Sequence, residues 1–396
     1  MERKNLLTPV FFLAGASLFM GLYGGLYDPS FNNYLFQVHH LSEVARGGLE
    51  FPRELPGFLI VFIFTALIFL RDSRIAFVAA LMVGISLWGQ GFLSPDMRAV
   101  VFWMLLWSAG AHLSMLLRSS LGLRLAEKGG EGRLLGRMGA YESAGALLGM
   151  LVVLYGVSRF HISFGAIFAI AGSCALVAAL AFVMIRPEPV KRPPRYLMFK
   201  KKYSLYYLLS MLFGARKQVF LTFAPWVLIK IFQSDVRLFA ILGLIGTVLS
   251  LVIRPLIGRA IDRFGERTVI IGESLVLVII CSLYAMGRHW FVPAIAVYVI
   301  MACYIIDQLL MAVTIARATY LNRIAESADD IAPTLSMGLT LDHAVSMTVP
   351  IGGGILWAAY GYEWVFMTAG LIALVNLVAA LFISEVEVLP VPENEG

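Results

Sequence analysis

From residue 164 to residue 185 the chain reads FGAIFAIAGSCALVAALAFVMI, with no charged side chain and no alternation of polar and apolar positions. Hydrocarbon offers no partner for backbone N–H and C=O groups, so a run of this kind crosses a bilayer as a helix, which satisfies them internally. Comparable runs recur along the whole chain. The composition agrees: 60% apolar residues, 14% charged residues and a mean hydropathy of +0.83 lie far from water-soluble domains. The expectation is an all-α polytopic membrane protein.

A window of about 19 residues places spans near 8–30, 55–70, 75–93, 99–117, 138–157 and 164–185. Six more fall near 204–229, 238–256, 269–287, 291–315, 335–359 and 364–383, twelve helices in all. The second is short and is expected to draw on FPRELPGF to reach the roughly 20 residues a span needs.

With the N-terminus inside, roughly 22 of the 31 Lys and Arg fall on cytoplasmic segments and about 7 on the other side. They include Arg71, Arg74, Arg118, Arg124, Lys128, Arg133, Arg137 and the stretch RPEPVKRPPRYLMFKKK. The net charge of +6 therefore reads as topological anchoring, with no nucleic acid as partner. Both termini are expected in the cytoplasm, in what reads as a bacterial inner-membrane protein. The first apolar run is too long for a cleaved secretory signal, and YDPSFNNYLF offers no convincing small-residue cleavage site. Cys174, Cys281 and Cys303 stand alone in apolar spans as lipid-facing or core residues, so neither a disulfide set nor a metal set is readable. No cofactor is indicated.

The Pro-rich basic stretch at 186–202 divides the chain into 1–185 and 203–384, followed by an acidic solvated tail at 385–396. Each half carries one copy of a related string half a chain apart: RSSLGLRLAE from Arg118 and RATYLNRIAE from Arg317. Each is followed by a helix with an early acid, Glu142 or Asp342. A duplicated six-helix unit is the expectation, and transporters are commonly built this way.

Between the eighth and ninth spans stands GRAIDRFGER, Gly258 to Arg267. It resembles the GxxxDRxGxR loop of the major facilitator superfamily, and span count, linker and repeat extend the resemblance over the whole chain. The resemblance implies two pseudo-symmetric six-helix bundles. It also implies a cytoplasmic gate in which Asp262, Arg263 and Arg267 pack against neighbouring helix ends while Gly258 and Gly265 allow the tight turn. The corresponding first-half loop is only RDSR, Arg71 to Arg74, and GAYESAGALLGMLVV lacks the Gly-Pro signature of the drug/proton antiporter branch.

Charge inside a bilayer costs about 2.5–3.5 kcal/mol per residue on insertion scales and usually faces a cavity. Arg216 lies midway between Lys202 and Lys230, roughly 21 Å from either at about 1.5 Å per residue. It either holds an anionic substrate with its fork of donors or pairs with an acid such as Asp307. Lys217 and Gln218 continue that candidate binding face. Asp307 is a candidate proton site or a partner for Lys217. Asp342 and His343 form either a proton relay or a gate, in which Glu142 pairs with Arg118 or Arg124 and Asp342 with Arg317 or Arg323, breaking when the halves rock. Asp28 and Asn32 share an i, i+4 face as an outer vestibule or a helix cap. Glu50, Arg53 and Glu54 in GLEFPRELPGF are expected at the outer surface in local salt bridges. Trp103 and Trp107, four apart on the fourth span with His112 deeper, are either packing or interfacial anchors or a cavity wall with Trp107 as a binding candidate; Asn376 joins the binding candidates from the twelfth, and Gly352, Gly353 and Gly354 permit close helix approach.

No GxxxxGK[ST] loop is present to bind ATP, and no clustered nucleophile and base or metal set points to an enzyme. The expectation is a monomeric secondary transporter for a small organic anion or zwitterion, working by rocker-switch alternating access with protons as a candidate coupling ion. The alternatives are a lipid or amphiphile flippase and a non-transporting receptor or assembly factor.

Overall fold

The computed structural model describes residues 2–67, 70–127, 130–185 and 197–384. Lys128, most of the basic linker and the acidic tail lie outside the described residues. Helices make up nearly all the rest, with no strand among the described residues. The protein is an all-α membrane protein, and eight helices among the described residues are long and apolar enough to cross a bilayer.

The first helix, α1 (Glu2–Gln37), runs on past Asp28 and Asn32, placing both well inside the helix. At about 1.5 Å per residue Asp28 lies roughly 13 Å short of its end. The second span differs from the expected 55–70 segment. It begins where Ser42 caps α2 (Glu43–Gly48) and continues through α3 (Glu50–Phe58) and α4 (Ile60–Ala66). Prolines lack the N–H that a helix interior needs, so Pro56, followed by Gly57, interrupts the ladder. Bonds such as Leu49 N to Ala45 O at 3.0 Å and Leu59 N to Leu55 O at 3.0 Å keep the pieces in line. The segment GLEFPRELPGF is therefore interior: Glu50 is fully buried and Glu54 is 7% exposed. Hydropathy missed this because four charges close to one another lower the local mean, although they neutralise one another in space.

The first half continues with α5 (Asp72–Phe92), α6 (Met97–Leu125), α7 (Glu131–Phe160) and α8 (Phe164–Met184). Side-chain caps start α6 and α8: Asp96 accepts from Ala99 N, and Ser163 from Ala166 N. In the second half, α9 (Ser204–Lys230) precedes α10 (Val236–Trp290), a long element that breaks at Gly265. Gly265 has φ +76°, a conformation that side chains rarely adopt, so this glycine makes the turn of GRAIDRFGER. Gly258, expected to share that task, lies within regular helix. Next come α11 (Pro293–Leu310), a 3-10 turn at Met311–Val313, α12 (Thr314–Ile324), α13 (Ala328–Tyr360) and α14 (Tyr362–Leu381).

Within the first half α1 packs on α7 and α8, and α5 on α6 and α8; within the second, α10 packs on α14 and α11, and α9 on α13 and α14. Between them, α13 lies against α2 and α3, and α10 against α7 and α1. The α2–α13 contact is backbone to backbone: Gly47 meets the Pro350 carbonyl, and a Cβ on Gly354 would stand 2.6 Å from the Glu43 carbonyl. Gly353 packs on the Phe223 ring, whereas Gly352 faces open space. Phe11, Phe160, Tyr298 and Phe382 are more than two-thirds exposed, as suits a perimeter solvated by acyl chains. All three cysteines are buried and free.

Candidate functional site

A cavity of about 390 Å³ opens between α1, α3, α9, α10 and α11. Its polar wall holds Asp28 and Asn32 from α1, Arg53 from α3, Thr247 from α10, and Asp307 and Gln308 from α11. Its apolar wall is largely aromatic: Tyr27, Phe31, Phe220, Phe239 and Tyr304. Pro29 sits within α1 beside Asp28 and removes one helical hydrogen bond there.

Glu50 is the hub beside this chamber. It receives Arg46, which pairs with it in a fully buried contact, and Arg53, whose Nη1 lies 3.1 Å from both carboxylate oxygens. Gln218 Nε2 donates to its Oε2 at 2.5 Å. Arg46 Nε also donates to Asn32 Oδ1 at 3.0 Å. The Arg53 guanidinium lies 5.7 Å from the centre of the Trp107 ring, which in turn packs on Tyr27 at 4.9 Å. Asp28 has no ion-pair or hydrogen-bond partner among the described residues and is exposed to the chamber. The chamber thus presents one unpaired carboxylate and one arginine held from behind.

The two cations that stood out in the sequence are spoken for. Arg216, 3% exposed, places Nη2 2.7 Å from Asp307 Oδ1 and 3.4 Å from the Asp307 carbonyl, with Nη1 3.2 Å from Met311 Sδ. The Asp307 Oδ1 contact is close but not an aligned hydrogen bond, so charge attraction holds it and the oxygen keeps acceptor capacity. Lys217 Nζ lies 2.6 Å from Asp342 Oδ1, which also accepts from Ser346 Oγ at 3.0 Å. Neither cation lines the chamber, and Gln218 is turned onto Glu50. The expected cationic substrate face at Arg216, Lys217 and Gln218 is thus replaced by Arg53, with Asp28 opposite. Desolvated charges at this depth are stabilised by pairing, and each found an acid on a neighbouring helix. Trp107 lies beneath Arg53 and does not line the chamber. Asn376 donates to Ser274 Oγ at 2.8 Å beside a crevice of about 10 Å³, away from the chamber.

His343 does not relay with Asp342. Its Nδ1 lies 2.8 Å from Glu54 Oε2, and its ring is 5.0 Å from His112, so Glu54, His112 and His343 offer three ligand atoms within 4.8 Å of one another. This set was invisible in the sequence.

The expected gate also rearranges. Arg118 pairs with Glu142 at 2.6 Å as one alternative foresaw, but Arg124 pairs with Asp72 at 2.9 Å, Arg317 with Glu273 at 2.8 Å and Arg323 with Glu266 at 3.3 Å. Asp342 goes to Lys217 instead of Arg317 or Arg323. All four arginine pairs lie within one half of the chain, so relative movement of the halves does not part them. Polar contacts that do cross are Glu50–Gln218, Glu54–His343 and Glu43–Lys230. The RDSR loop departs from the motif; its Asp72, fully buried, meets Arg124, and in the second half Glu266 meets Arg323. Asp262 and Arg263 are exposed, with Arg263 stacked 5.3 Å over Phe264; Arg267 is half-buried.

The missed residues, Arg46, Glu50, Arg53 and Glu54, carried one legible signal. Their spacings of three and four place them along one helical face.

The sequence profile of the Major Facilitator Superfamily matches residues 206–396, beginning inside α9 and including GRAIDRFGER. The second half of the chain thus matches the major facilitator superfamily. Solved structures of the superfamily share its fold. A mutant form of the nucleoside transporter NupG is 14% identical with a TM-score of 0.77, over 95% of this chain and 100% of that one. A bacterial homologue of the human lysosomal transporter Spinster, in an inward-facing and unoccupied conformation, is 12% identical with a TM-score of 0.69, over 96% and 97%. A D-xylose–proton symporter is 20% identical with a TM-score of 0.67, over 96% and 97%. No curated protein sequence matches the chain. In this major facilitator fold the chamber lies among helices of both halves.

Proposed function

We propose that this major facilitator protein is a monomeric secondary transporter with twelve spans and cytoplasmic termini in a bacterial inner membrane, moving a small zwitterion by alternating access. The observation that carries the reading is the pair of opposite charges on one chamber, Asp28 without a partner and Arg53 backed by Glu50 and Trp107. An ammonium group suits Asp28, and a carboxylate suits the guanidinium edge that Glu50 leaves free. A plain organic anion fits less well, because Arg216 and Lys217 are already neutralised and the chamber's unpaired charge is negative. Asp307, which lines the chamber and whose ion pair is not an aligned hydrogen bond, is the candidate proton site.

The aromatic wall favours a second reading, a neutral ring-bearing solute whose hydroxyls donate to Asp28 and Asp307. The nucleoside and D-xylose named for two of the similar structures are of that kind.

Proteoliposome uptake of amino-acid-like zwitterions, monocarboxylates, nucleosides and pentoses, with and without a pH gradient, separates these readings. Zwitterion uptake lost in both Asp28→Asn and Arg53→Gln supports the first. Nucleoside or pentose uptake lost in Asp28→Asn and retained in Arg53→Gln supports the second. Monocarboxylate uptake indifferent to Asp28→Asn overturns both.

A further inference from the structure

We infer that Glu54, His112 and His343 form a binding site for a divalent transition-metal cation of the zinc type, and that the bound cation ties the two halves of the chain together. Two imidazoles and a carboxylate are a donor set that favours such ions over magnesium or calcium, which take oxygen ligands. The three ligand atoms already lie within 4.8 Å of one another. A tetrahedral zinc centre needs them roughly 3.3 Å apart, so side-chain adjustments of about 1.5 Å complete it.

The surroundings have the marks of a site. His112 Nδ1 lies 2.9 Å from the Ser108 carbonyl, an acceptor only, which fixes the proton on Nδ1 and leaves the Nε2 lone pair directed at the cluster. Metal-bound histidines are oriented in this way by a bond to the second ring nitrogen. The space for a cation is left by Gly57. A Cβ there would stand 2.6 Å from His112 Nε2, 2.6 Å from His343 Cε1 and 2.8 Å from His343 Nδ1. His343, 4% exposed, has its Nε2 buried without a partner. His112 also lines a second cavity of about 220 Å³, with Ile60, Met115, Leu116, Ser336 and Leu339, which supplies an entry path. When His343 ligates through Nδ1, the proton that this nitrogen now shares with Glu54 passes to the unpartnered Nε2 of the same ring, so the imidazole stays neutral. The nearby cations do not oppose binding with free charge, because Arg53 pairs with Glu50 and Lys217 with Asp342.

Glu54 and His112 belong to α3 and α6, and His343 to α13. A cation shared by them fastens the seam where the halves meet, and so arrests alternating access. That consequence rests on the transporter reading; binding does not.

The test is calorimetric titration of the purified full-length chain in detergent with zinc chloride, with magnesium chloride as control and Tm read in parallel. One equivalent of zinc is expected to bind and raise Tm, with magnesium silent. X-ray absorption is expected to report nitrogen and oxygen ligands including two imidazoles. His112→Gln and Gly57→Ala are each expected to weaken binding roughly tenfold or more, whereas the loop variant His39→Ala/His40→Ala retains it. Should Gly57→Ala fail to fold, His112→Gln carries the test. No binding by the folded chain, or stoichiometric binding that survives His112→Gln, overturns the site. Zinc that binds but does not slow uptake by proteoliposomes overturns the arrest and leaves the transporter reading standing.

Discussion

Glu50 of α3 and Gln218 of α9 meet at 2.5 Å, so one buried carboxylate is shared between the two halves of the chain. The same carboxylate neutralises Arg46 and Arg53. The link between the halves is thereby coupled to the charge that faces the chamber.

Replacing Glu50 by Gln leaves the fully buried Arg46 uncompensated, and removing one member of a buried pair costs about 3–5 kcal/mol. Gln218→Ala removes one neutral donor from a carboxylate that Arg53 still holds, and costs about 1.5–3 kcal/mol. Thermal unfolding of the detergent-purified chain is expected to show the larger fall in Tm for Glu50→Gln. Equal falls count against Glu50 as the hub.

Arg216 and Asp307 are expected to behave as one unit. Each single alanine substitution strands a buried charge at about 3–5 kcal/mol, while the double substitution removes both and costs less than their sum. Additive Tm losses in that cycle contradict the pairing.

Gly47→Val forces a side chain against the Pro350 carbonyl at the α2–α13 seam. Overpacking of this kind costs about 1–3 kcal/mol or separates the helices. A lower Tm with reduced uptake is the expected result, whereas Gly352→Val, where a Cβ meets nothing within 4 Å, leaves both near the parent values.

Outside the spans, Lys200 and Lys202 hold Glu326 at 3.3 Å and 3.2 Å, and Lys200 also reaches Asp330 at 2.7 Å. Hydrogen bonds from Lys202 and then Lys200 keep the Glu326 carboxyl below its ordinary range, and the Asp330 hydrogen bond raises Lys200 above its own. A depressed acid contributes stability above its unfolded value, near pH 4.3, and loses it as pH falls through the lower folded value. A raised lysine contributes below about pH 10.4 and loses it as pH climbs through the higher folded value. Protection of the amides of residues 200–209, taken relative to the intrinsic exchange rate at each pH, is therefore expected to be greatest between about pH 5 and 10 and smaller in high salt, because these groups are exposed. Protection that ignores both pH and salt across that range counts against these ion pairs as a stabilising tie.

Much of this architecture was legible before any coordinates. The helical class and the family loop are written in runs of adjacent residues. Gly265 at φ +76° shows why that loop needs a glycine there. The second span was misjudged because Arg46, Glu50, Arg53 and Glu54 raise local polarity while cancelling one another in space. At Arg216 the sequence left a substrate face and a pair with Asp307 both open, and only the tertiary structure chose the pair, because that partner stands on α11.

The amino-acid sequence by itself determined that this chain lives in a bilayer as helices, since hydropathy and helical satisfaction of the backbone depend only on near neighbours. Which charge faces the chamber was decided by the tertiary structure alone. Pairing energies depend on ångström-scale approaches between helices far apart in the chain, and those approaches left Asp28 open while closing Arg216 onto Asp307.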